Sequence, residues 1–226
     1  MNIKAMHYQV KAGLNKLDSN QNRNLQIPEI DVALNQAEDI FKLRHTPYYD
    51  PSRGVEFNQR SIENLRTIVV NQDIGQNVVN NVAQLPSDYD YYLSSYVTVV
   101  KGDCDRVIPA RVYRHQDEFK NFDSPSFEWG ECPIRFFEGG VHIYTDGFNA
   151  IRIRLNYLRK TAWMHNAEDW DPSGYTYNGQ VYEGTQDCEL PERCHQEIVD
   201  LAVLVITGNL TPPSFESKAA TISLND

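Results

Sequence analysis

The stretch from Cys132 to Lys160, CPIRFFEGGVHIYTDGFNAIRIRLNYLRK, constrains the fold more than any other part of the chain. Ile134 and Phe136, then Val141, Ile143 and Thr145, then Ile151, Ile153, Leu155 and Tyr157 recur at every second position. That is the period at which a strand turns one face to a core. Gly139-Gly140 and Asp146-Gly147 interrupt the run with residues that reach positive φ, so the pattern predicts a three-stranded β-meander. Arg152, Arg154 and Asn156 take the opposite phase, which gives the sheet one packed face and one facing solvent or a partner.

Helical spacing flanks this region. Ile3, Met6, Val10, Leu14 and Leu17 form one apolar stripe, and Pro28-Glu29 opens a second helix carrying Ile30, Val32, Leu34, Ala37, Ile40, Phe41 and Leu43. Together they predict an antiparallel helical hairpin. A third helical start lies near Asn58, and residues 78–85 read equally as helix or strand before Pro86 ends them. Tyr89 to Lys101 and Arg106 to Arg114 read as strands, and His115 to Phe122 as a short helix. Pro191 to Gly208 is the most apolar helix, with more than one buried stripe.

The expected fold is therefore α+β. A helical bundle, made from the N-terminal hairpin and the C-terminal helix (residues 1–70 and 190–210), receives an inserted, mostly antiparallel β-sheet at 71–189. That insertion ends in a long aromatic loop, 160–189, and residues 211–226 form a C-terminal tail of what is one folded domain overall. The loop sets Trp163, Trp170, Tyr175, Tyr177 and Tyr182 among Asn, Asp, Gly and Pro, a composition that suits an interface. A loop packed on its own sheet explains it as well. Pro212, Pro213 and Phe215 in the tail join the candidate interface residues.

The formal net charge of −10 argues against a protein that grips phosphates by bulk electrostatics. It leaves room for DNA that passes nearby without being held. No apolar run reaches the roughly 18 residues that a membrane helix needs, which predicts a soluble chain made and used in a cytosol. Cys104, Cys132, Cys188 and Cys194 are too sparse for a stapled secreted domain and fit free thiols. Asp18, Asn20, Asn22 and Glu29 fall at positions 1, 3, 5 and 12 of a calcium-loop pattern, but Arg23 stands where that loop turns on Gly. A plain Asn-rich turn competes with calcium there.

Catalytic signals are thin. Cys194 and His195 are adjacent, so in a helix they point apart, and the acids Glu189, Glu192 and Glu197 suit a helix start as well as a metal. There is no phosphate-cradling Gly-rich loop, no nucleophile elbow and no HExxH, so the expectation is a non-enzyme without cofactor or metal. Arg152 and Arg154, with Arg135 on a neighbouring strand, could meet an acidic partner or simply face solvent.

Residues 18–43 (DSNQNRNLQIPEIDVALNQAEDIFKL), the Leu85-Pro-Ser-Asp88 step, the hairpin from Ile143-Tyr-Thr-Asp146 to Tyr157-Leu-Arg-Lys160, and Leu190-Pro191 with His195 together resemble the head-to-tail connector (adaptor or ring) proteins of tailed bacteriophages, those of crAss-like phages in particular. The resemblance implies a structural virion protein at the head-tail junction, assembled in the host cytoplasm. It further implies a homo-oligomeric ring of twelve copies that binds the portal protein, holds the next tail or ring protein, and passes genome DNA without reading its sequence. Residues 211–226 would be the arm that reaches into the portal. The alternative reading is a monomeric binding module for a glycan or bacterial surface partner, with the Trp/Tyr-rich loop as its site.

Overall fold

A computed structural model describes residues 1–17, 25–46, 63–75, 81–113, 130–145 and 148–210. The chain divides into two compact units, residues 68–160 and residues 1–67 with 161–226. The elbow Asp18, Asn20 and Asn22, the Asp146-Gly147 turn, the 115–122 helix and the tail with Pro212, Pro213 and Phe215 lie outside the described residues.

The expected helical bundle with an inserted sheet is overturned. The chain is mostly β, and a curled, mixed seven-stranded sheet is its main body, with only short helices otherwise. Its strands are β1 (Val69–Gly75), β2 (Val82–Gln84), β3 (Tyr89–Lys101), β4 (Cys104–Val112), β5 (Cys132–Phe137), β6 (Gly140–Ile143) and β7 (Asn149–Arg159), in the order β1-β7-β3-β4-β5-β6-β2. All pairs are antiparallel except β4 with β5. The edge strands β1 and β2 come close to one another, as a curled sheet requires.

The meander is also corrected. β5 and β6 pair across a turn centred on Glu138 and Gly139, but β7 does not return beside β6. It instead lies between β1 and β3, so the hairpin expected from Ile143 to Tyr157 is not formed. Alternation marks a strand and its buried face without naming its neighbour, and here the neighbours are distant in sequence.

The curl closes around an apolar core with members from β2 to β7: Ala83, Val97, Val99, Ile108, Ile134, Val141, Ile143, Ala150 and Ile153 among them. Ile151, expected on the sheet's buried face, is exposed, and the cause is local. The register steps from Thr98 opposite Arg152 to Val99 opposite Ala150, leaving Ile151 as the extra residue of a bulge. Alternation therefore changes phase there: Ala150 and Ile153 are buried, while Ile151 is 45% exposed. Near the other end of β7, the buried Tyr157 hydroxyl lies 3.0 Å from both Gln72 Oε1 and Asp88 Oδ1, and donates between them. Burial, with the Asp88 carboxylate beside it, pushes this phenol up to about 12. The Asp88 carbonyl accepts the Lys160 amide at 2.7 Å, which gives the Leu85-Pro-Ser-Asp88 step a structural role at the sheet's end.

The other unit holds α1 (Ile3–Leu17), α2 (Ile27–His45) and α3 (His195–Leu210). Ile3, Met6 and Val10 of α1, Ile30, Leu34 and Phe41 of α2, and Ile198, Val199 and Ala202 of α3 are all buried. α3 packs on both other helices, while α1 and α2 barely meet, so the expected two-helix hairpin is really a pair bridged by α3. Gly13 permits the approach of α1 to α3, since a Cβ there would lie 2.9 Å from Val203 Cγ2.

The bulge yields a direct comparison. Ile153→Ala is expected to cost about 3 kcal/mol, the loss of a fully buried branched side chain plus its cavity. Ile151→Ala should change stability by less than about 0.5 kcal/mol. Urea unfolding of both variants measures this, and equal losses would contradict the phase change.

Candidate functional site

Residues 161–190 do not behave as a loop. They form β8 (His165–Asn166), β9 (Tyr175–Tyr177), β10 (Gln180–Tyr182) and β11 (Thr185–Gln186), with β9 paired to β10 and β8 to β11. The β9–β10 turn is Asn178-Gly179, both at positive φ, the two-residue turn whose twist matches antiparallel strands. At Gly174, also at positive φ, a Cβ would collide with the Tyr182 carbonyl, so only glycine lets the segment fold back so tightly.

What holds this segment is a polar stripe along one face of α2. Asp31, Asn35, Glu38 and Lys42 follow helical spacing and are 0%, 5%, 2% and 4% exposed. Asp31 Oδ1 lies 2.7 Å from His7 Nε2, Oδ2 accepts the Tyr175 hydroxyl at 2.8 Å, and the Asn166 amide points between both oxygens at 3.2 Å. With the His7 ring donating through Nε2, this carboxylate accepts from three directions, which is how a buried charge is sustained. Asn35 meets the Met164 backbone twice, donating to its carbonyl at 2.8 Å and accepting its amide at 2.9 Å. It thereby imitates a neighbouring strand.

Further along, Lys42 Nζ donates to Thr161 Oγ1 at 3.3 Å, and Thr161 Oγ1 donates to Glu38 Oε2 at 2.8 Å. The Cys188 thiol approaches Glu38 Oε1 at 3.7 Å. Burial pushes the Glu38 carboxyl above its ordinary value of 4.5, a shift that the bond from Thr161 opposes without cancelling. Burial, helped by the Glu38 charge, likewise raises the Cys188 thiol to about 12, which leaves it a poor nucleophile. Burial first, and then the Asp31 charge, raises the Tyr175 phenol too.

The aromatic candidates separate into two groups. Trp163 stacks on Tyr177 with centroids 5.1 Å apart, and Tyr182 touches Trp163, His165 and Tyr175 at 5.8, 5.2 and 5.6 Å. These four aromatics largely fill one another, and Tyr175 is buried. Trp170 stands apart at 44% exposure, beside Glu168, Asp169 and Asp171. On the outer side of the hairpin, Thr176 faces Val181, and Val181 is 57% exposed. Lys4 bridges Glu168 at 3.1 Å and Asp169 at 3.0 Å. The Asn166 side-chain amide, donating from Nδ2 to Asp169 Oδ2 at 2.9 Å, and then Lys4, hold the Asp169 carboxyl below its ordinary value.

Several residues of the catalytic and metal patterns make hydrogen bonds within the fold. His195 donates through Nε2 to the Leu190 carbonyl at 2.9 Å, and its Nδ1 lies 2.9 Å from the Met1 amino group. Glu189 accepts the Ala162 amide at 3.0 Å, and Glu29 of the calcium pattern accepts the Gln26 amide at 3.0 Å, capping its own helix. Among the described residues no three His, Cys, Asp or Glu side chains converge on a metal-sized space. In the sheet unit, Arg135 lies over the Phe137 ring at 5.3 Å, and Arg152 pairs with Asp73 at 3.2 Å. Sequence reasoning missed Asp31, Asn35 and Val181, and it missed the Asn-Gly hairpin, although that dipeptide between YTY and QVY is a strong turn signal. The chain matches no protein-family model and no curated protein.

The raised Glu38 carboxyl fixes the sign of a pH effect. Its protonated form supports the fold fully below about pH 4.5, and that support is lost as pH rises through the folded value. The melting temperature of the wild type relative to Glu38→Gln should therefore fall as pH rises from below the ordinary value of 4.5 through the raised folded value. A pH-independent difference would contradict the burial of an ionisable group at this position.

Proposed function

We propose that this chain is a structural virion component of a tailed bacteriophage: a head-to-tail connector that assembles as a ring of its own copies, docks on the portal and passes genome DNA. It acts through contacts rather than catalysis. The observation that carries the reading is the clamped aromatic hairpin. Its inner rings and the α2 stripe fix it in place, while Trp170 and Val181 remain outside on a rigid support. Presenting large apolar side chains on an already ordered element lowers the entropy cost of docking. The acidic balance agrees with a wall that DNA crosses without being held.

A glycan platform requires an open aromatic face. Trp163 is instead covered by Tyr177 and flanked by Tyr182, which favours a protein partner.

The test is the mass of the purified chain in solution, alone and mixed with the portal protein of the same genome. A closed ring, twelve copies by the resemblance, or a monomer that joins the portal in fixed stoichiometry is the expected result. A stable monomer that ignores the portal would overturn the proposal.

A further inference from the structure

Asn178-Gly179 is the one Asn-Gly pair in the sequence, and it forms the β9–β10 turn. Both residues lie at positive φ, 49° and 79°, and both are exposed. A Cβ built on Gly179 would meet no atom within 4 Å, so the space on that side of the tip is open. Glycine also leaves the backbone nitrogen after Asn178 unshielded, because it has no side chain to stand between that nitrogen and the asparagine amide. Every other asparagine in the sequence precedes a residue that carries a side chain. Asn35 and Asn156 are in addition held by side-chain hydrogen bonds.

We propose that Asn178 is a site of self-modification by deamidation, and that its isoaspartyl product loosens the hairpin. The Gly179 nitrogen gives up its proton and attacks Asn178 Cγ. The new N–C bond closes a cyclic imide as the bond from Cγ to the side-chain nitrogen breaks, and ammonia leaves with that proton. Water then opens the imide at either carbonyl. Breaking the new bond at Cγ gives aspartate with the main chain as before. Breaking the original peptide bond gives isoaspartate, whose main chain runs through Cβ and Cγ. One water is taken up, one ammonia is released, and nothing is oxidised or reduced.

The two products differ in what the hairpin can bear. Aspartate tolerates the left-handed turn as asparagine does, and Asp-Gly is itself a favoured pair for it. Isoaspartate adds a methylene to the main chain inside a two-residue turn, so Tyr177 and Gln180 can no longer face one another in the same register. The strands are only three residues long, and Tyr182 is fixed twice: it pairs with Tyr175, and its carbonyl lies against Gly174. A displaced register therefore costs the ring contacts of Tyr177 with Trp163 and of Tyr182 with Tyr175. The chemistry needs only the turn and water, and is independent of the connector reading.

The full chain, held folded at mildly alkaline pH and warmed below its melting temperature, tests both parts beside the same chain unfolded in urea. Peptide mapping by mass spectrometry, and methyl labelling by an isoaspartyl methyltransferase, follow the conversion. It should appear at Asn178 in the folded chain, and Asn178→Gly, which suits the same turn, should lose most of the label. Exchange of the Tyr175 and Tyr182 amides should quicken by about tenfold or more in the isoaspartyl form. In freshly made Asn178→Asp it should stay at the wild-type rate. A folded chain whose Asn178 stays intact while the unfolded chain converts there would overturn the site. An isoaspartyl form whose hairpin amides exchange as slowly as before would overturn the loosening. Equal quickening in Asn178→Asp would assign the effect to charge and overturn the lengthened turn as its cause.

Discussion

The buried carboxylate of Asp31 is the constraint on which the helical unit depends. A fully desolvated charge is tolerable only when donors surround it, and these come from His7 on α1, the Asn166 backbone and the Tyr175 hydroxyl. Two stretches far apart in sequence, α1 and the segment from Asn166 to Tyr175, are thereby tied to one atom group on α2. Asn35 and Glu38 repeat the device one and two turns further along, holding Met164 and Thr161. The segment over the stripe is held by these bonds together with its buried Met164, Ala167 and Leu190. The aromatic rings then pack because the backbone beneath them is already fixed.

The sheet unit rests on a different balance. β3 and β7 are its two longest strands and run side by side, and the bulge at Ile151 lets β7 keep Ala150 and Ile153 inward while the sheet curls. The same displacement turns Ile151 out. One irregularity therefore serves the core and leaves an apolar side chain exposed.

Much of the local structure was legible in the sequence. The stripe from Ile3 to Leu17, Pro28 at the start of α2 and the apolar run after Pro191 each correspond to a helix, the period-two runs correspond to β5, β6 and β7, and the Tyr-, Thr- and Val-rich stretch from Tyr89 to Lys101 corresponds to β3. What failed was long-range. Alternation could not tell that β7 pairs with β1 and β3, and the helical ends suggested a bundle because their periodicity is stronger than that of short strands. The polar stripe was invisible for a related reason. Asp31, Asn35, Glu38 and Lys42 read as a solvated helix face unless another segment is known to cover them, and the covering segment looked like a loop. The Asn178-Gly179 hairpin was in plain view, and reading it first would have pointed to that segment as folded structure.

His7, Asp31, Glu38, Cys188 and His195 each make a hydrogen bond within the helical unit, while Trp170 and Val181 stay exposed. The central claim is that the aromatic segment is clamped to α2 by that stripe. Native-state hydrogen exchange of the Met164 and Asn166 amides, which bond to Asn35 and Asp31, tests it most directly. The account predicts that both exchange as slowly as the core amides of α2, through opening of the whole unit. Exchange at the rate of an unprotected surface loop would contradict it.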